Sequence, residues 1–74
     1  MSLLELLASV IEVDGLDEAS GPGRPEAWSS LKQLQVVVAL EEMYGVTLSV
    51  PEIESLVSVA RIREVLATKG AAVA

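Results

Sequence analysis

The chain contains no cysteine and no histidine. Without cysteine no disulfide can staple the fold, and no thiolate can serve as nucleophile or metal ligand. Without histidine the commonest general base and the commonest metal ligand are both missing. A self-contained hydrolase, a zinc site or any independent enzyme is therefore not expected. Aromatic residues are almost absent: Trp28 and Tyr44 stand alone, and there is no phenylalanine. Bases are scarce, five against eleven acids, which gives a formal charge of −6. Such a surface repels a phosphate backbone and disfavours nucleic-acid binding. It serves solubility, or it suits partners with a basic docking face. No apolar run approaches the roughly 20 residues of a membrane span. The opening stretch MSLLELLASVIEV carries Glu5 and Glu12 and lacks a basic segment. It does not read as a signal peptide, so a cytoplasmic protein without membrane attachment is expected.

What is present is helical pattern. The length of 74 residues bounds one small domain, residues 1–74, whose core is marginal in size. Leu3, Leu4, Leu7, Val10 and Ile11 recur at i, i+3, i+4 spacing, and Ser2 with Glu5 forms an S-x-x-E capping box. The spacing predicts a first helix from Ser2 to about Val13. A second long helix is predicted from Ser30 to about Tyr44. Leu34, Val37, Ala39, Leu40 and Tyr44 share much of one face, and Leu31, Val36 and Val38 widen it. Gly45 is placed to end it. Ser49 and Glu52 offer another box for a short helix over about Pro51 to Leu56. Ser58 caps a last helix with Val59, Ile62, Val65 and Leu66 inward, ending at Lys69 and Gly70. The tail, residues 71–74, is expected to fray.

Between the first two helices lies DGLDEASGPGRPEAW, Asp14 to Trp28, with three glycines, two prolines and four acids. Gly and Pro at this density read as a loop. Loops this long are often functional or pinned at a few points, here Leu16 and Trp28. DGLDE lacks the ligand spacing of an EF-hand, so a solvated acidic loop is expected and no metal site. The fold class is all-α: a four-helix bundle of three long helices and one short, with a long crossover loop.

The chemistry concentrates on Ser29 and Ser30. A serine before an apolar-periodic run caps a helix by accepting an amide hydrogen bond, worth about 1 kcal/mol. If Ser29 is the cap, Lys32 sits at N3 and no box closes. If Ser30 is the cap, Gln33 sits at N3 and an S-x-x-Q box closes. Either serine is also a candidate modification acceptor, because unpaired amides and the positive end of the helix dipole favour a phosphate there. Catalysis would then come from another enzyme. Glu41 and Glu42 lie towards the C-terminal half of the same helix, where the dipole does not favour acids.

The stretch from Trp28 to Leu66 resembles the acyl and peptidyl carrier protein family. The matching residues are Ser30-Leu31, Ala39-Leu40-Glu41-Glu42, Tyr44-Gly45, Pro51-Glu52-Ile53-Glu54 and Ser58-Val59. The resemblance implies that Ser30 receives 4′-phosphopantetheine from coenzyme A through a phosphopantetheinyl transferase, making a phosphoprotein. The arm would carry acyl or aminoacyl groups as thioesters. It implies partner contacts through Leu31, Gln35, Val38, Glu41, Glu42, Glu52 and Ile53, which would meet basic docking surfaces on acyl-loading and acyl-processing enzymes. A monomeric, discrete carrier of a specialised route such as polyketide biosynthesis is expected. Ser29 then takes the cap. The family's usual residue at that position is Asp, and here the charge is lost. This departure raises the alternative of a carrier-like interaction module that is never phosphopantetheinylated.

Overall fold

A computed structural model describes residues 1–74. Four helices follow one another and there are no strands: α1 (Leu3–Ile11), α2 (Ser30–Tyr44), α3 (Val50–Glu54) and α4 (Val59–Thr68). None is long and apolar enough to cross a membrane. Their buried faces meet in one cluster of 13 apolar residues that includes Trp28, Leu48 and Leu56 from between the helices.

Local sequence explains where three helices begin. Ser2 Oγ accepts the Glu5 amide at 3.1 Å and Glu5 Oε1 accepts the Ser2 amide at 2.9 Å, closing the first box. Ser49 and Glu52 close the same box before α3, at 3.3 and 2.8 Å. Ser58 accepts the Arg61 amide before α4. The inner face of α4 is as expected: Val59, Ile62, Val65 and Leu66 are buried. In α1 the buried residues are Leu3, Leu7 and Ile11, with Leu4 and Val10 half-buried beside them.

Three expectations change. The inner face of α2 is Val36, Val37 and Leu40, while Leu34 is 64% exposed. The inward stripe runs Gln33, Val36, Val37, Leu40, Tyr44. Its first member is polar, and α2 is apolar on most sides, so periodicity did not distinguish Gln33 from Leu34. Next, α3 stops at Glu54 and not at Leu56. Ser55 donates its amide to Pro51 and Glu52 carbonyls and its hydroxyl to the Glu52 carbonyl, tightening the turn. Leu56 thereby enters the core from outside the helix. Finally, residues 71–74 are tied down. Gly70, at φ 77°, turns the chain back. The Ala71 amide donates to the Leu66 carbonyl at 3.1 Å, and the Ala74 carbonyl accepts the Leu3 amide at 3.0 Å. That amide belongs to the first turn of α1, where no helical acceptor exists, so the tail supplies one.

The long loop is pinned at more points than Leu16 and Trp28. Its Ser20 and Glu18 carbonyls accept the amides of Val59 and Ala60 at 2.7 and 3.0 Å. Glu18 also forms a two-pronged pair with Arg63, at 3.0 and 2.8 Å, which holds its carboxyl below the usual range. Gly21 is buried with its backbone against the Val57 carbonyl, where a Cβ would collide. Asp17 spends its carboxylate locally, accepting the Ala19 and Ser20 amides. The acidic start of the loop thus closes its own turn and grips α4.

Candidate functional site

The site is built at the start of α2. Trp28 is fully buried, and it ends the loop. Its indole Nε1 donates to Gln33 Oε1 at 2.7 Å. Gln33 Nε2 in turn donates to the Leu56 carbonyl at 3.4 Å, tying loop, α2 and the α3–α4 turn together. This arrangement settles the competition between the two serines. Gln33 is held by Trp28, so it cannot turn back to close an S-x-x-Q box. Ser29 is the cap: its Oγ accepts the Lys32 amide at 3.2 Å.

Ser30 is the first helical residue and is exposed. Its hydroxyl makes no hydrogen bond within the protein, since the capping bond belongs to Ser29. The amides of Ser30 and Leu31 lie in the first turn, where a helix offers no acceptor. Beside them lies an open cleft of about 460 Å³, lined by Pro22, Gly23, Glu26, Trp28, Ser29, Ser30 and Gln33. A free hydroxyl and two free amides at a positive helix end suit a covalently held phosphate.

Lys32 would be misplaced in a first turn if its charge pointed along the axis. It reaches sideways instead. Its Nζ donates to the Val10 carbonyl at 3.4 Å and pairs with Glu12 at 3.2 Å. Val10 belongs to the last turn of α1, whose carbonyls lack helical donors, so the cation serves that end.

The seven residues implied as partner contacts do not form one uniform surface. Leu31, Gln35, Val38 and Glu42 follow one another along α2 at i, i+4, i+7, i+11 and are all exposed. Leu31 and Val38 are 64% and 54% exposed. Gln35, Val38 and Glu42 also line an apolar groove with Val10, Leu34 and Ala39. Glu41 is engaged internally: its Oε2 accepts the Leu48 amide at 2.9 Å, which explains an acid near the C-terminal end of a helix. Glu52 is likewise tied, to the Ser49 amide and to Lys69 Nζ at 2.9 Å. These partners hold its carboxyl at about 2. Ile53 is half-buried against the core.

At the far end of α2, burial pushes the Tyr44 phenol above its ordinary range, and its hydroxyl has no hydrogen-bond partner. The sequence reading did not single out Glu26, took Gln33 for a possible box residue and put Leu34 on the inner face, where the structure has Gln33 on Trp28 and Leu34 exposed. The Trp28–Gln33 bond spans five residues across a loop–helix junction, which no periodic pattern marks. Comparison of the chain with family models, with curated proteins and with solved structures finds no match in any of the three.

Proposed function

We propose that the protein is an acyl carrier whose Ser30 takes up 4′-phosphopantetheine. The observation that carries the reading is the division of labour between the two serines. Ser29 spends its oxygen on the Lys32 amide, which leaves the Ser30 hydroxyl free beside an open cleft. The ordered resemblance from Ser30 to Val59 supports it. In the loading step, Ser30 Oγ forms a bond to the pantetheine-bearing phosphorus of coenzyme A. The pyrophosphate bond breaks, adenosine 3′,5′-bisphosphate leaves, and the serine proton passes to a base of the transferase. The bound group supplies a thiol on which acyl cargo is held as a thioester. This chain would contribute the anchoring oxygen, and the Ser30 and Leu31 amides of the first turn would be available to the phosphodiester. The tether raises the effective concentration of cargo at each enzyme visited. The exposed strip of Leu31, Gln35, Val38 and Glu42 is the part of the implied contact set open to basic partners.

A second reading is an unmodified helical interaction module. It is favoured by Ser29, which leaves no charge directly before Ser30. Intact mass after incubation with coenzyme A, magnesium and a promiscuous phosphopantetheinyl transferase separates the two. The carrier reading expects one phosphopantetheine adduct, mapped to Ser30. An unmodified chain with this transferase and with one from the source organism overturns it.

A further inference from the structure

We propose that Glu26 is a positioning residue for the modification of Ser30, supplying from the loop the negative charge that Ser29 does not. The inference rests on the carrier reading. It is carried by where the free carboxylates lie. Glu5, Glu12, Glu18 and Glu52 are spent on Ser2, Lys32, Arg63 and Lys69. Glu26 has neither hydrogen bond nor ion pair, and it is the one acid lining the cleft that contains Ser29 and Ser30. Its place is set by the backbone: the Trp28 amide donates to the Pro25 carbonyl at 2.9 Å, closing a turn with Glu26 inside it. The Gly23 amide donates to the Trp28 carbonyl at 2.8 Å and fastens that turn to the buried indole. Of the two cations nearest in sequence, Lys32 is drawn to Val10 and Glu12, and Arg24 donates to the Ala19 carbonyl at 3.4 Å without pairing with Glu26. The cleft that Ser30 lines therefore holds one carboxylate without an ion-pair partner.

A carboxylate and a pyrophosphate repel each other unless a cation lies between them. Magnesium suits that place, since it keeps several waters and binds one or two carboxylates together with substrate phosphates. Glu26 would hold the cation on the Ser30 side of the cleft, and the cation would supply charge neutralisation for the pyrophosphate of coenzyme A. The bond changes are those of the loading step above, and the serine proton still goes to the transferase. Glu26 gains and loses no bond to carbon or phosphorus.

The test compares wild type, Glu26→Gln, Glu26→Asp and Glu26→Gln with Ser29→Asp. Each is loaded by the same transferase with coenzyme A over a magnesium titration and read by intact mass. Glu26→Gln should lower kcat/KM for the carrier about tenfold, as expected for losing one close charge contact across an interface. It should also raise the magnesium concentration needed for half-maximal rate. Glu26→Asp should keep most of the rate, and Ser29→Asp should restore it in the Glu26→Gln background. Circular dichroism and the urea midpoint should not move, because the carboxylate has no partner in the fold. Loading of Glu26→Gln at the wild-type rate and magnesium requirement overturns the inference and leaves the carrier reading intact. Failure of the wild type to load at all overturns the carrier reading and this inference with it.

Discussion

Two helix starts in this molecule share one local chemistry and meet different fates. Both α2 and α4 are capped by a serine whose Oγ accepts the amide of a basic N3 residue, Lys32 in one and Arg61 in the other. Neither can close a box, because a cation cannot accept the cap's amide. At α4 the tertiary structure completes the end, since the loop brings the Ser20 and Glu18 carbonyls onto the Val59 and Ala60 amides. At α2 nothing arrives. The corresponding amides, of Ser30 and Leu31, receive no acceptor from the loop, and Ser30 lines an open cleft. A helix end that is filled serves stability, and one that is left open is available to a ligand or a modifying enzyme. The difference lies in the loop, which grips α4 with its first half and hangs beside α2 with its second.

The comparison can be broken most strongly at Trp28. Trp28→Ala should destabilise the fold by about 3–5 kcal/mol in urea denaturation, the usual cost of emptying a buried large aromatic site. It should also free Gln33 to close the rival box on Ser30, so any folded fraction should load more slowly. Gly21→Ala attacks the filled end instead. The new methyl group meets the Val57 carbonyl and pushes the loop off α4. A loss of about 1–3 kcal/mol is expected, typical of overpacking, with loading per folded molecule unchanged. The serine pair sharpens the contrast further. Ser29→Ala should cost about 1 kcal/mol of stability. Ser30→Ala should cost under about 0.5 kcal/mol, as for an exposed residue without partners, yet abolish loading in the intact-mass assay. If Ser30→Ala is the more destabilising of the two, the assignment of cap and anchor is reversed.

The smallest effect concerns a start that is closed by a box. The Ser49 amide, and then Lys69, hold the Glu52 carboxyl at about 2, below its ordinary 4.5. Because the folded value is depressed, the carboxylate stabilises the fold above about pH 4.5, and that contribution is lost as pH falls through about 2. Tm should therefore decline across that window in the wild type. It should decline less in Glu52→Gln, which keeps the box bond but does not titrate. Salt should shrink the difference, since Glu52 and Lys69 lie near the surface.

Much of the fold was legible because it is local. Capping boxes at Ser2 and Ser49, the cap at Ser58 and the inner stripe of α4 each lie within a turn or two of sequence, where spacing alone decides hydrogen bonding and facing. The candidate site was legible only in part. Ser29 and Ser30 were visible as a pair, but local chemistry favoured the wrong cap, and the longer resemblance was needed to reverse that choice. Glu41 read as a surface acid because its partner, the Leu48 amide, lies seven positions away; Glu52 was legible as a box residue on Ser49 but not as the partner of Lys69, seventeen positions away.

By itself, then, the sequence determined the all-helical class, the order of the four elements and the absence of thiol and imidazole chemistry. Residue types are fixed by the sequence, and the caps at Ser2, Ser49 and Ser58 are short-range hydrogen bonds that no distant contact displaces. Only the tertiary structure decided which face of α2 turns inward, because α2 is apolar on nearly all sides and burial goes to the face that Gln33 and Trp28 anchor. Only the tertiary structure tied down the tail, through an orphan amide of α1 that lies at the other end of the chain. It also decided which helix start stays open, because that depends on where a distant loop delivers its carbonyls.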